Sequence, residues 1–258
     1  MKALILGAGY GVRLYPLTKN TPKPLLNIAG KSVIEWTLDL LSSAKDVSEV
    51  FIVVNRRFYE SYQNWLPEVQ QRFKKKITLV DDETTTNDNK LGAIGDIQFV
   101  VDKCGIKGDL LVIAGDNLFG DNIDEIISYY KKHGPTIALK NMKDVDRKLI
   151  SQYSVVTLDK SDKVIDFEEK PPDPKSILIA ICLYVFPARD LGLFKEYLDG
   201  HLNPDAPGYY IQWLHKKRDV FGYVMKNHWF DIGDIDSYKE ANDFYMKSQE
   251  KGKGKKRI

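Results

Sequence analysis

The chain has 258 residues, 43% of them hydrophobic and 29% charged, and 38 Lys and Arg against 36 Asp and Glu leave a net charge of +2. That length suits one large α/β domain, or one domain with a small appendage, and it can bury a substantial core. A charge so near zero gives no overall field aimed at nucleic acid or a membrane surface, and no apolar run is long enough to cross a bilayer. The opening residues, MKALILGAGYG, carry one charge and a very short apolar run, which does not read as a secretory signal. Cys104 and Cys182 lie far apart without metal-ligand spacing, so both are expected reduced, in a cytoplasmic protein.

Residues 2–6 read as a first, buried strand. Three glycines follow at once, Gly7, Gly9 and Gly11, where a backbone without Cβ atoms can turn sharply and approach a bulky anion. The spacing G-x-G-x-G is not the dinucleotide fingerprint G-x-G-x-x-G. The helix that fingerprint needs is forbidden by Pro16, Pro22 and Pro24, and Asn27 and Ile28 stand where its acidic residue would fall. No Gly-Lys-Ser/Thr closes a Walker loop either. What remains is a long, proline-stiffened loop that supplies two cations, Arg13 and Lys23, as a polyphosphate site requires.

Farther on, residues 32–41 have helical spacing, with Ser32 as a cap after the Gly30-Lys31 turn. A strand is expected over residues 50–54, a helix over 58–73 interrupted near Pro67, a strand over 77–80 and a helix over 94–101. The strand at 110–114 is closed by Gly115-Asp116-Asn117, and a helix follows over 123–132. From Thr136 the texture becomes more β-rich. Strands are expected over 136–139, 153–158, 163–168, 179–186 and 220–225, and helices over 191–197, 209–216 and 238–245. The alternation predicts a three-layer αβα sandwich with a mixed, mainly parallel central sheet. Residues 1–245 form one domain in this reading, with a nucleotide-binding lobe at 1–135 and an acceptor lobe at 136–245, and residues 246–258 form a basic, flexible tail. There is no internal repeat, and the hexapeptide repeats of a left-handed β-helix are absent.

The composite pattern Gly9-x-Gly11-x-Arg13-Leu14-x-Pro16-Leu17-Thr18, then Pro22-Lys23-Pro24-Leu25, then Gly30-Lys31 resembles the N-terminal signature of the sugar-phosphate nucleotidylyltransferases, and in particular their glucose-1-phosphate thymidylyltransferase branch. The resemblance implies a Rossmann-like nucleotide-diphospho-sugar transferase fold. It also implies Mg²⁺-dependent attack of a sugar 1-phosphate on the α-phosphorus of a nucleoside triphosphate, with glucose 1-phosphate and dTTP as the first expectation. UTP, GTP or CTP with the same chemistry, a non-catalytic nucleotide-sugar sensor on the same fold, and an NAD(P)-dependent oxidoreductase are the competing readings. Arg13 and Lys23 are then the catalytic cations, while Leu6, Gly7, Ala8, Gly9 and Gly11 wrap the triphosphate. Partners are the two substrates, with no nucleic acid and no membrane, and a homo-oligomer is left open.

Asp116 ends a strand, where ligands of open α/β sheets bind; on the residues alone a turn aspartate serves as well. Its setting Gly115-Asp116-Asn117 is similar to the metal-binding Gly-Asp-Asn of the family, and Trp229-Phe230-Asp231-Ile232-Gly233 resembles the late segment whose aspartate completes that site. Asp234 replaces the usual threonine there, either touching the metal or capping the last helix. Glu169-Lys170-Pro171 resembles the element that grips sugar hydroxyls and sugar phosphate. Asn87 falls where the family has a base-contacting glutamine, ahead of Gly92, and a turn role fits Asn87 nearly as well. Ser154 and Cys182 stand where the family commonly has glycines, so they bear on the identity of the sugar. The four histidines form no ligand cluster, and Tyr209, Tyr210 and Trp213 are expected in the core.

Overall fold

The computed structural model describes residues 1–254. Its first half alternates β1 (Lys2–Leu6), β2 (Asn27–Ile28), β3 (Lys31–Ser32), α1 (Val33–Ser43), β4 (Glu49–Val54), α2 (Tyr59–Arg72), β5 (Lys76–Asp81), α3 (Gly92–Lys103), β6 (Leu110–Ala114), β7 (Asn117–Phe119) and α4 (Ile123–His133). The second half holds β8 (Thr136–Asn141), α5 (Arg147–Ile150), β9 (Ser154–Leu158), β10 (Val164–Glu169), β11 (Leu178–Phe186), α6 (Gly192–Asp199), α7 (Pro207–Leu214), β12 (Phe221–Met225), β13 (Trp229–Asp231) and α8 (Ile235–Gly254).

The main sheet is mixed. β5, β4, β1 and β6 run parallel, β11 pairs antiparallel with β6, and β9 and β10 extend that side, while β8 and β12 pair along the other edge of β11. Successive strand residues face opposite sides and enter two separate cores. Ala3, Ile5, Ile52 and Ile113 pack with α1, α2 and α4, whereas Leu4, Val53 and Val112 pack with α3, α6 and α7. The expected αβα sandwich is therefore what the strands' two-faced apolar pattern builds. No helix among the described residues is long and apolar enough to cross a membrane.

Two features of the sheet place the site. The chain leaves β1 through α1 to reach β4 on one side, and returns through α3 to β6 on the other, so a crevice opens between the carboxyl ends of β1 and β6. Then β11 forks the sheet. Its residues 183–186 pair with β6, but Leu178 and Ile179 pair with β9, and 180–182 pair with neither. The gap at 180–182 is an opening in the sheet beside that crevice.

Three local expectations change. The helix α2 runs unbroken through Pro67, because Tyr62 and Val69 on either side of the proline are buried in one core and hold both halves in place. The short ribbon of β7 and β13 has no periodicity to announce it and is set by the pairing Asp231↔Asn117. Helix α8 continues to Gly254, through residues expected to form a flexible tail, and residues 255–258 lie outside the described residues.

Candidate active site

The glycine loop is anchored at Gly7, Ala8 and Gly11. Gly7 donates to Val53 O at 2.9 Å, Asn55 Nδ2 donates to Ala8 O at 2.7 Å, and Thr18 Oγ1 donates to Gly11 O at 2.6 Å. Asn55 and Thr18 are fully buried, so these anchors are part of the core. Tyr10 is held by a 3.1 Å hydrogen bond with Thr84. Among the described residues, the N–H groups of Ala8, Gly9, Tyr10 and Gly11 donate to no protein group. Gly11 has φ +60°, a conformation that costs glycine little. A loop anchored in this way, with four successive N–H groups free, is a receptor for anionic oxygen.

Two single 3₁₀ turns, Val12–Leu14 and Lys23–Leu25, take the place of the helix that the prolines exclude. The second buries Lys23 and aims its ammonium at Asp116, 2.6 Å away. Gly115 makes this approach possible, since a Cβ there would lie 2.7 Å from Leu6 O and 3.2 Å from Pro24. The resulting cavity, about 230 Å³, is lined by Leu6, Gly7, Gly9 and Gly11 on one side and by Arg13, Lys23 and Asp116 on the other. Arg13 has no ion-pair partner among the described residues.

A second cavity of about 590 Å³ adjoins the first and shares Arg13 and Gly233 with it. It opens at the fork in the sheet, where Ala180, Ile181 and Cys182 line it. Glu169 and Ser154 face each other across β10 and β9, and Ser154 donates a short hydrogen bond to Glu169 Oε2. Lys170, with φ +47°, turns out of the strand and lines the same cavity. Burial, followed by the nearby Asp116 charge, pushes the Cys182 thiol well above its ordinary value, so it presents a neutral group.

Asp116 and Asp231 meet through the β7–β13 ribbon. The Asn117 amide donates to Asp116 Oδ1 at 2.9 Å and reaches Asp231 Oδ1 at 3.5 Å, while its own Oδ1 accepts from the Trp229 indole at 2.7 Å. Burial opposes the charge on Asp116, but Lys23 and the hydrogen bonds from Lys23 and Asn117 outweigh it and hold that carboxyl below the usual range. Burial and the Asp116 charge push Asp231 the other way, above it. Two hard carboxylates pressed together beside an anion cradle are a donor set that a divalent cation plus phosphate oxygens would complete, so Mg²⁺ fits these residues. Among the described residues no group of three or more His, Cys, Asp and Glu could hold a metal alone. Asp234 takes the capping role: its Oδ1 accepts from Ser237 N at 2.8 Å at the start of α8.

Not every expected residue is gathered here. Ala8 is buried behind the loop, Asn87 lies exposed in the turn before α3, and Gly92 is packed against Pro204 O at the start of α3; none of the three lines either cavity. Conversely, Asn117, Trp229 and Gly208 escaped the sequence reading. Trp229 and Asn117 stand inside the Trp-Phe-Asp and Gly-Asp-Asn motifs, but their contact depends on a pairing over more than a hundred residues. A Cβ on Gly208 would overlap Glu169 and Ser154, and the only local sign is a glycine inside the helical pattern of α7.

A family model described as Nucleotidyl transferase matches residues 2–248 of the chain. The chain belongs to the nucleotidyl transferase family. Among this family's proteins it is 29% identical over 253 residues to the bifunctional protein GlmU of Methanococcus aeolicus, covering 96% of this chain and 55% of that one. It is 26% identical to the glucose-1-phosphate adenylyltransferase of Fusobacterium nucleatum, covering 93% of this chain and 65% of the relative. The chain thus spans little more than half the length of the GlmU relatives that it matches. A crystal structure of a provisionally assigned glucose-1-phosphate thymidylyltransferase from Bacillus anthracis, in complex with sucrose, superposes with a TM-score of 0.81 at 25% identity, covering 95% of each chain. In this member of the family, the glycine loop and the carboxylate pair lie at the carboxyl ends of the strands, where open α/β sheets take their ligands.

Proposed function

We propose that the chain transfers a nucleotidyl group from a nucleoside triphosphate to a sugar 1-phosphate, with dTTP and glucose 1-phosphate as the pair, releasing pyrophosphate. The observation that carries this reading is the junction of the two cavities. An anion cradle and a cavity lined by Glu169 and Lys170 share Arg13, beside the Asp116–Asp231 pair.

A sugar-phosphate oxygen attacks the α-phosphorus, the new P–O bond forms, and the bond from the α-phosphorus to the bridging oxygen of the β-phosphate breaks. The nucleophile is already an anion, so no general base is required, and the protein's work is positioning and charge neutralisation. Gly9 and Gly11, which line the anion cradle, hold phosphate oxygens with free N–H groups. Arg13 neutralises the departing pyrophosphate, and Lys23 moves from Asp116 to the charge growing at the α-phosphate. Glu169 accepts from sugar hydroxyls, and Lys170 holds the sugar phosphate in line. Asp116 and Asp231 would hold Mg²⁺, which supplies neutralisation of phosphate charge.

Pyrophosphate release over a grid of dTTP, UTP, GTP, CTP and ATP against several sugar 1-phosphates tests the reading. The highest kcat/KM is expected for dTTP with glucose 1-phosphate. Preference for another pair would reassign the substrates, and no release from any pair would overturn the reaction.

A further inference from the structure

A third cavity, about 640 Å³, lies away from the candidate active site and is lined by Lys163, Arg189, Lys216, Lys217 and Arg218, with Asp219 as the one acidic side chain among them. Set against the three carboxylates that pair with them, Asp219, Glu196 and Asp190, the five cations leave a local surplus of two, equal to the net charge of the whole chain. Local pairing does not cancel it. Lys163 pairs with Asp219 at 2.6 Å, Lys217 with Glu196 at 2.5 Å and Arg218 with Asp190 at 2.9 Å, but Arg189 and Lys216 have no ion-pair partner among the described residues.

The cavity is also organised. Asp190 is 1% exposed and accepts from Arg218 Nε, while Arg218 Nη1 donates to Lys217 O at 2.9 Å. The guanidinium is thereby fixed with Nη2 unspent, and a held, planar donor fork suits phosphate oxygen. His133 and His215 complete the wall; burial and then Lys216 hold His215 below its ordinary value, so it adds a neutral hydrogen-bonding group. Its volume falls in the range of small-ligand sites, which argues for a compact ligand.

We infer that this cavity binds a small anion bearing two or more phosphate groups. It lies at the far ends of strands that build the acceptor side of the active site. Lys163 immediately precedes β10, which ends at Glu169, and Arg189 follows β11, whose Cys182 lies at the fork. The six residues of β10 put about 20 Å between the two ends, so one ligand cannot occupy both sites.

Isothermal titration with inorganic tripolyphosphate in the absence of Mg²⁺ tests this, because the active site offers the probe a second place. Wild-type protein is expected to bind two equivalents. Arg13→Ala/Lys23→Ala protein is expected to keep one. Arg189→Ala/Lys216→Ala protein, altered at two exposed side chains, is expected to lose at least tenfold in affinity at one site and to keep wild-type pyrophosphate release. A single equivalent that vanishes in the Arg13/Lys23 variant overturns the proposal, as does two-site binding unchanged by the Arg189/Lys216 substitutions. Tighter binding of a single-stranded oligonucleotide than of tripolyphosphate at this face overturns it too, making the face a nucleic-acid patch.

Discussion

Arg13 and Lys23 stand in different electrostatic positions, and that difference sets what their removal does. Arg13 has no ion-pair partner among the described residues, so Arg13→Ala removes a cation and strands none of their carboxylates. Lys23→Ala leaves Asp116 without its cation, but the Asp116 side chain is 33% exposed and keeps its hydrogen bond from Asn117. Each variant is expected to keep a wild-type circular dichroism spectrum and to lose at least a hundredfold in turnover, about 3 kcal/mol of transition-state stabilisation. Gly208 gives a different signature. A methyl group there must displace the Glu169 carboxylate from Ser154, so Gly208→Ala is expected to raise KM for the sugar phosphate tenfold or more and leave KM for the triphosphate within about twofold. Arg13 and Lys23 stand out in the sequence because the prolines exclude a helix from their loop, whereas Asp116 reads equally as a turn aspartate until the resemblance of Gly115-Asp116-Asn117 assigns it. Gly208 was not legible, since its role exists only once α7 packs over the β9–β10 register.

The N-terminus of α3 and the turn after β5 carry a pair of buried acids. Asp96 on α3 faces Asp82, with Asp205 near, and burial followed by the Asp82 charge pushes Asp96 up to about 8. Asp82 accepts from Thr84 N and Thr84 Oγ1, while Asp96 Oδ1 has no partner among the described residues. An acid whose pKa is higher folded than unfolded adds stability that is complete below the unfolded value, near 4, and is lost as pH rises through about 8. Wild-type protein should therefore lose stability across that window. Asp96→Asn should abolish much of the loss, so that its urea midpoint exceeds wild type more at pH 9 than at pH 5.5. The same helix starts at Gly92, with φ +78° and a Cβ position 2.6 Å from Pro204 O. Gly92→Ala is expected to cost about 1–3 kcal/mol, read as a lower urea midpoint. Sequence periodicity located these helices and strands to within a few residues, because their apolar patterns are strong. It overestimated the effect of Pro67, where tertiary burial overrides a local breaker, and it had no purchase on β7 and β13, three residues each, which exist only through their pairing.

At the scale of the molecule, one sheet serves two binding regions by changing partners along a single strand. The parallel half, with its crevice between β1 and β6, was foreseeable from strands alternating with helices. The fork of β11 was not, since it depends on β6 and β9 meeting the same edge from distant parts of the chain. That fork brings the larger cavity against the glycine loop, and the proposed reaction depends on this adjacency. Incubating the protein with Mg²⁺, dTTP and glucose 1-phosphate labelled with ¹⁸O at all four phosphate oxygens tests it most directly, by mass spectrometry of the products. Direct attack on the α-phosphorus predicts that the nucleotide sugar retains all four labelled oxygens and that the pyrophosphate carries none. Label in the pyrophosphate, or orthophosphate released in place of a nucleotide sugar, would contradict it.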